Sequence, residues 1–189
     1  MEKVAITEVP PSTVGEESTR RGLTEHLGTT DIALNQYRLA CGDDLPGGLH
    51  CHMDQEEIFV VLDGTATFET MDGEVTVDAF EAIRFEPGEF QSGKNNSDSE
   101  LVMVALGAPR ATDDIRIPVS CPNCNHETLR LNFTDELTFE CPDCSVEHRP
   151  RSCLNCGHED LRVTLGEESK PVVVCQHCEA EFDQPPLQD

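Results

Sequence analysis

Basic residues are what this sequence most lacks. Thirteen lysines and arginines stand against 37 acids, and only Lys3, Lys94 and Lys170 are lysines. Nucleic-acid backbones are gripped by clustered Lys and Arg, so the composition speaks against DNA or RNA as a partner. No apolar run approaches the roughly 20 residues that cross a bilayer, which leaves no candidate membrane helix. The opening Met1-Glu2-Lys3-Val4-Ala5 has no basic-then-apolar leader, so a reducing, cytoplasmic setting is expected. No Gly-rich phosphate loop is evident, and no Ser-His-Asp arrangement carries a recognisable motif.

What the sequence does have is cysteine in pairs. Eight of its ten cysteines form Cys-x-x-Cys steps at Cys121/Cys124, Cys141/Cys144, Cys153/Cys156 and Cys175/Cys178. A two-residue gap lets both thiolates of a pair turn onto one cation, and two pairs close a tetrahedral site. Four pairs therefore predict two sites of four thiolates each. The run from Cys121 to Leu131 lines up with that from Cys153 to Val163 at an offset of 32 residues. Each unit reads pair, strand, polar turn, strand, pair: Leu129–Phe133 and Leu137–Phe139 around Thr134–Glu136, then Leu161–Leu165 and Val172–Val174 around Gly166–Pro171. In a reducing setting these are metal ligands rather than disulfides, with structural zinc expected and a rubredoxin-like iron site the alternative. His126, His158 and His177 flank the pairs but are surplus to four thiolates. The pattern resembles the zinc-ribbon family twice over, across residues 119–184.

The front of the chain reads differently. Val9 to Arg21 is rich in Pro, Ser, Thr and Glu, as a loose arm would be. Short strands follow: Ile32–Leu39, Glu57–Leu62, Ala66–Thr70, Val75–Val77, Ala82–Phe85 and Leu101–Leu106, with turn signals at Asp63-Gly64 and Asp72-Gly73. Strands at this spacing, without helices among them, imply an all-β sandwich or barrel of the jelly-roll kind. His50 and His52 lie two apart on an extended segment, so both imidazoles share one face and Cys51 takes the other. Glu57 begins the next strand and can bring a carboxylate to the same point. Two imidazoles and a carboxylate suit Fe, Mn or a comparable divalent ion such as Ni or Zn.

His50-Cys51-His52, Glu57 and Gly64 in order resemble the first motif of the cupin family, and Pro87-Gly88 through Asn95 resembles its second, over residues 32–107. The resemblance implies a small jelly-roll barrel with one divalent metal. The fourth ligand position of the second motif is held here by Gln91, an oxygen-type donor weaker than imidazole. Phe59, Phe90 and Met103 are expected around the pocket, with Tyr37 and Arg38 as polar neighbours. The resulting division is an arm at 1–31, the barrel at 32–108, a linker at 109–118 and ribbons at 119–150 and 151–184. Glu57, Phe59 and Val61 alternate with Ile58, Val60 and Leu62, so both faces of that strand are apolar and call for cover from another sheet, the N-terminal arm or a second subunit. The cupin resemblance implies a homodimer. The functional expectation is a metal-binding barrel for a small ligand, with ribbons for protein interaction and regulation. The alternative is a metal-dependent oxygenase or isomerase, with no catalytic residue assigned.

The charge runs through both parts, at about −15 over residues 1–117 and −9 over the rest. Such a surface repels itself unless salt screens it, and in this it resembles haloarchaeal cytoplasmic proteins. Thermal melts from molar to dilute salt should show the melting temperature falling as salt is removed, as the Debye length grows from about 3 Å to about 30 Å. A flat or rising melting temperature would remove the halophile inference.

Overall fold

The structure is a computed structural model that describes residues 1–15, 17–134, 136–166 and 169–188. The expected ribbon turns at Thr134–Glu136 and Gly166–Pro171 fall partly outside these residues. Among the described residues no helix is long and apolar enough to cross a membrane.

The front part contains β1 (Ser12–Thr13), β2 (Thr19–Gly22), the single turn α1 (Thr24–Leu27), β3 (Ala33–Leu39), β4 (Cys51–His52) and β5 (Glu56–Asp63). It continues with β6 (Thr65–Thr70), β7 (Gly73–Asp78), β8 (Ala82–Phe85), β9 (Gln91–Lys94) and β10 (Leu101–Ala108). One sheet runs in the order β1-β2-β3-β10-β5-β8 and faces a second of β7-β6-β9. This is the jelly-roll barrel that the strand spacing implied. Period-two burial brings Phe59 and Val61 of β5 inward, against Leu39, Phe68, Phe85, Leu101 and Met103. Phe68 is fully buried, with ring centroids 4.9 Å from Phe59 and 5.4 Å from Phe85. Burial of one such ring contributes about 1.5–3 kcal/mol.

The two glycine turn signals do different work. Met71-Asp72 closes the β6–β7 hairpin, where Thr70 faces Gly73. Gly64 instead carries the chain from one sheet to the other, since β5 pairs with β8 and β10 rather than with β6. A Cβ at Gly64 would lie 2.6 Å from the Glu100 carbonyl oxygen, and its φ is 82°. Asn95 is buried at the end of β9's loop, where its amide donates to the carbonyls of Leu39, Ala40 and Ser99 at 3.0, 3.1 and 2.8 Å. That asparagine holds loops together rather than facing the cavity.

Two segments expected to be loose are parts of the sheets. The arm contributes β1 and β2, with Arg20 opposite Tyr37, and it buries Val9, Ser18 and Leu23. In the expected linker, β11 (Ile115–Ile117) pairs on one side with β4 and on the other with β12 (Leu129–Asn132). The sheet then extends through β13 (Thr138–Glu140) to β14 (Glu147–His148). The second cysteine module is β15 (Leu161–Leu165), β16 (Pro171–Cys175) and β17 (Glu181–Phe182).

Barrel and modules share a second core. Leu49, Ile117, Val119, Leu129, Phe139, Val163 and Val173 come from all three parts and pack together. The chain end also folds back, with Arg151 N–H donating to Pro186 O at 2.8 Å and Gln188 N–H to Arg149 O at 2.8 Å. The Leu49 amide donates to Val163 O at 2.7 Å, and Thr164 Oγ1 donates to Glu69 Oε2 at 2.8 Å. Gly48, at φ 65°, sits so close to β15 that a Cβ there would meet Val163 O at 2.7 Å. We therefore expect Gly48→Ala to lower stability by about 1–3 kcal/mol in urea denaturation, combining left-handed strain with this clash. Gly28→Ala, at a left-handed helix cap with nothing within 4 Å, should cost only about 1 kcal/mol. Equal losses would mean that the contact with β15 is not tight.

Candidate metal sites

Among the described residues three groups bring metal-ligating atoms within 4.8 Å of one another: His50/His52/Glu57 and the two sets of four cysteines. The first lies on the barrel. His50 bridges to Gln91, exchanging backbone hydrogen bonds of 3.1 and 2.8 Å, and His52 follows in β4 on the same face. Cys51 points away and is buried, which pushes its thiol up to about 11. It is an inert packing residue at neutral pH.

Hydrogen bonds orient both imidazoles. His50 Nδ1 lies 2.8 Å from Gly48 O, an acceptor only, so Nδ1 carries the proton and Nε2 keeps its lone pair. His52 Nδ1 lies 3.1 Å from Thr112 Oγ1, whose own proton goes to Asp54 Oδ1 at 2.6 Å. The Thr112 hydroxyl must then accept from His52 Nδ1–H, leaving Nε2 free and 3.6 Å from Glu57 Oε1. This is the outer-shell support that a histidine ligand needs. Burial lowers His50 and pushes His52 to about 4, the latter helped by neighbouring His50, so both rings are neutral near pH 7. Burial raises Glu57 to about 7, against the opposing hydrogen bond from Gln91.

Gln91 comes to the same point. Its Nε2 donates to Glu57 Oε2 at 2.9 Å, and its Oε1 is the one buried side-chain polar atom among the described residues with no partner. An orphaned buried acceptor costs about 1–3 kcal/mol. Two imidazole nitrogens, a carboxylate and an unpartnered amide oxygen fit a divalent cation of the Fe, Mn, Ni or Zn group.

Above these residues lies a cavity of about 320 Å³ whose walls include Arg20, Asn35, Tyr37, Phe59, Arg110 and Thr112. Tyr37 faces inward as expected, but Arg38 does not. The two-residue period turns Arg38 outward, where it pairs with Glu100. Phe90 and Met103 are absent from this lining too: Met103 is in the barrel core, and Phe90 packs against the shared one. Arg20, Arg110 and Thr112 were not anticipated, because they come from segments whose polar composition carries no strand signal.

The four cysteine pairs have one geometry. The first cysteine's N–H donates to the carbonyl five residues on: Cys121 to His126 O, Cys141 to Val146 O, Cys153 to His158 O and Cys175 to Ala180 O, at 2.7–3.0 Å. The residue after each second cysteine (Asn125, Ser145, Gly157, Glu179) has positive φ and donates back to the first. Sulfurs of paired knuckles lie 3.8 and 3.5 Å apart in one set and 3.7 and 3.7 Å in the other. A tetrahedron with 2.3 Å metal–sulfur bonds has edges of about 3.8 Å, so either set could bind zinc. Hydrogen bonds from the Val146 N–H and Asn123 pull Cys144 down to about 6, and those from Asn155 and the Ala180 N–H do the same for Cys178. His126 bonds to Thr128, and His158 stacks on His177 at 4.9 Å, outside both sulfur sets. His148, which drew no attention in the sequence, lies 3.6 Å from Cys121 Sγ.

Residues 38–107 match the family described as cupin domain. Among solved structures the chain is similar to a sugar phosphate isomerase of the cupin superfamily from Silicibacter pomeroyi, at 17% identity and a TM-score of 0.57. That match covers 76% of this chain and 94% of the other. A polyketide cyclase from Streptomyces resistomycificus matches at 22% identity and 0.53, covering 65% and 89%. A predicted oxalate decarboxylase from Thermotoga maritima matches at 21% and 0.51, covering 57% and 98%. No curated protein matches the chain. At these identities the likeness carries the fold alone.

Protein purified under reducing conditions should hold two zinc ions per chain by elemental analysis, and Cys156→Ser should leave about one. Removing both with a chelator should also speed hydrogen exchange at the Leu49 amide, because its acceptor belongs to the second module. Full protection of that amide in zinc-free protein would show that the modules hold their shape without metal.

Proposed function

We propose that the barrel is a metal-dependent binding site for a small polar molecule, and that the cysteine modules are structural zinc ribbons that brace it. The observation that carries this reading is the convergence of His50, His52 and Glu57 beneath an open cavity, beside the orphaned Gln91 oxygen. His50, His52, Glu57 and Gln91 would hold the ion, which would supply Lewis-acid polarisation of a ligand oxygen. Gly48, Thr112 and Asp54 keep both imidazoles aimed, while Phe59 and Ala105 close the apolar side of the cavity.

A metal-dependent enzyme is the second reading, favoured by the open space over His50, His52, Glu57 and Gln91. The similar structures include an isomerase and a cyclase, but the reaction does not follow from a shared barrel. The ribbons' exposed Phe133 and Leu154 are the surface we assign to a protein partner, and Leu62 and Phe80 on the barrel the surface we assign to a second copy. An acidic surface of this density suits a salt-rich cytoplasm.

Cobalt or manganese titration of the zinc-loaded full chain tests the site, since the shared core rules out cutting the chain at residue 117. One further ion should bind, and His52→Ala should abolish it. Gln91→His should tighten binding about tenfold or more by restoring an imidazole, whereas Gln91→Ala should change it only a few-fold. If the wild-type barrel takes up no Fe, Mn, Ni or Zn, the metal-dependent reading fails.

A further inference from the structure

Eight of the thirteen lysines and arginines of this acidic chain pair with a carboxylate: Arg38, Arg84, Lys94, Arg110, Arg116, Arg130, Arg149 and Arg162. Arg20 is an exception that sits at a cavity. It stands opposite Tyr37 in the β2–β3 register, and among the described residues it has no carboxylate partner. Both side chains line the cavity that ends at His50, His52 and Glu57. Arg110 lines it as well, tied to Glu25 and to Thr29 O. Glu57 is the only carboxylate in the lining, and of the two arginines there Arg110 is already paired with Glu25, which leaves Arg20.

That distribution runs against the rest of the molecule. A guanidinium at a cavity mouth, without a carboxylate partner among the described residues, is free to receive an anion from outside. A guanidinium and a phenol hydroxyl together offer convergent donors to an oxyanion. A cavity of about 320 Å³ lies at the small end of ligand pockets.

We infer that the cavity takes a small organic oxyanion, a carboxylate or a phosphate ester, with its charged group on Arg20 and Tyr37 and its uncharged oxygens toward His50, His52 and Glu57. The inference rests on the barrel being a ligand site, and it adds the ligand's chemical class and the residues that select it. It needs no particular metal.

The test uses the composition of the chain. Tyr37 is the only tyrosine and there is no tryptophan, so intrinsic emission reports on the cavity alone. The full-length, zinc-loaded protein is titrated at constant ionic strength with glycerol 3-phosphate, glycerate and neutral glycerol, with and without manganese. Saturable change is expected with one or both anions and none with glycerol, and which anion responds decides between phosphate and carboxylate. Arg20→Gln should weaken the response at least tenfold, Arg20→Lys should restore part of it, and the outward Arg38→Gln should leave it unchanged. No saturable response to either anion, or equal affinity in Arg20→Gln, overturns the inference even if the barrel binds metal. A response that depends on Arg20 but persists in His52→Ala supports the anion site on its own, and separates it from the fate of the metal.

Discussion

The segment from Leu49 to Met53 is bonded on both sides, and the rest of the molecule is arranged around that constraint. On the barrel side His50 exchanges backbone hydrogen bonds with Gln91. Toward the modules Leu49 bonds to Val163, Cys51 and His52 pair with β11, and Met53 bonds to the Asp114 carbonyl. Five residues thus carry two of the candidate ligands and the seam between the parts. Small cysteine modules have little core of their own, and metal supplies much of their folding free energy. Metal held by the two cysteine sets would therefore also stiffen the segment that carries His50 and His52.

Charge plays a specific part at the same seam. Glu69 is buried, and its carboxylate receives Lys94 at 2.8 Å and Thr164 of β15 at 2.8 Å. Breaking a buried pair costs far more than an apolar replacement would, so such pairs fix orientation more than they add stability. In a chain this poor in lysine, one of the three is placed where the second module docks.

The cysteine sites were legible because ligand chemistry is local: a two-residue gap and one left-handed residue after each pair define the knuckle whatever surrounds it. The barrel strands were legible where burial alternates, as in β5 and β6. What sequence alone left dark were pairings whose partner is distant. Thr19–Gly22 reads as polar arm and Ile115–Ile117 as linker, yet each becomes a strand because an unpaired edge (β3 or β4) is waiting for it. The choice of Arg38 over Arg20 failed for a related reason. Neighbours in sequence alternate faces, while the residue that reaches Tyr37 lies across the sheet. His50, His52, Glu57 and Gln91 were readable as a set, but the Thr112–Asp54 support behind His52 spans 58 residues and leaves no local trace.

Gly48 bears on how such a protein can be rearranged. Its missing side chain is the space in which the β15 backbone rests. Domains joined by a free tether can be shuffled among hosts, whereas this pair is fitted backbone to backbone. A ribbon pair grafted onto another barrel would need an equally bare position beside the histidine strand to seat against. Barrel and cysteine modules are therefore fitted to each other, and replacing either would need a matching change in the other.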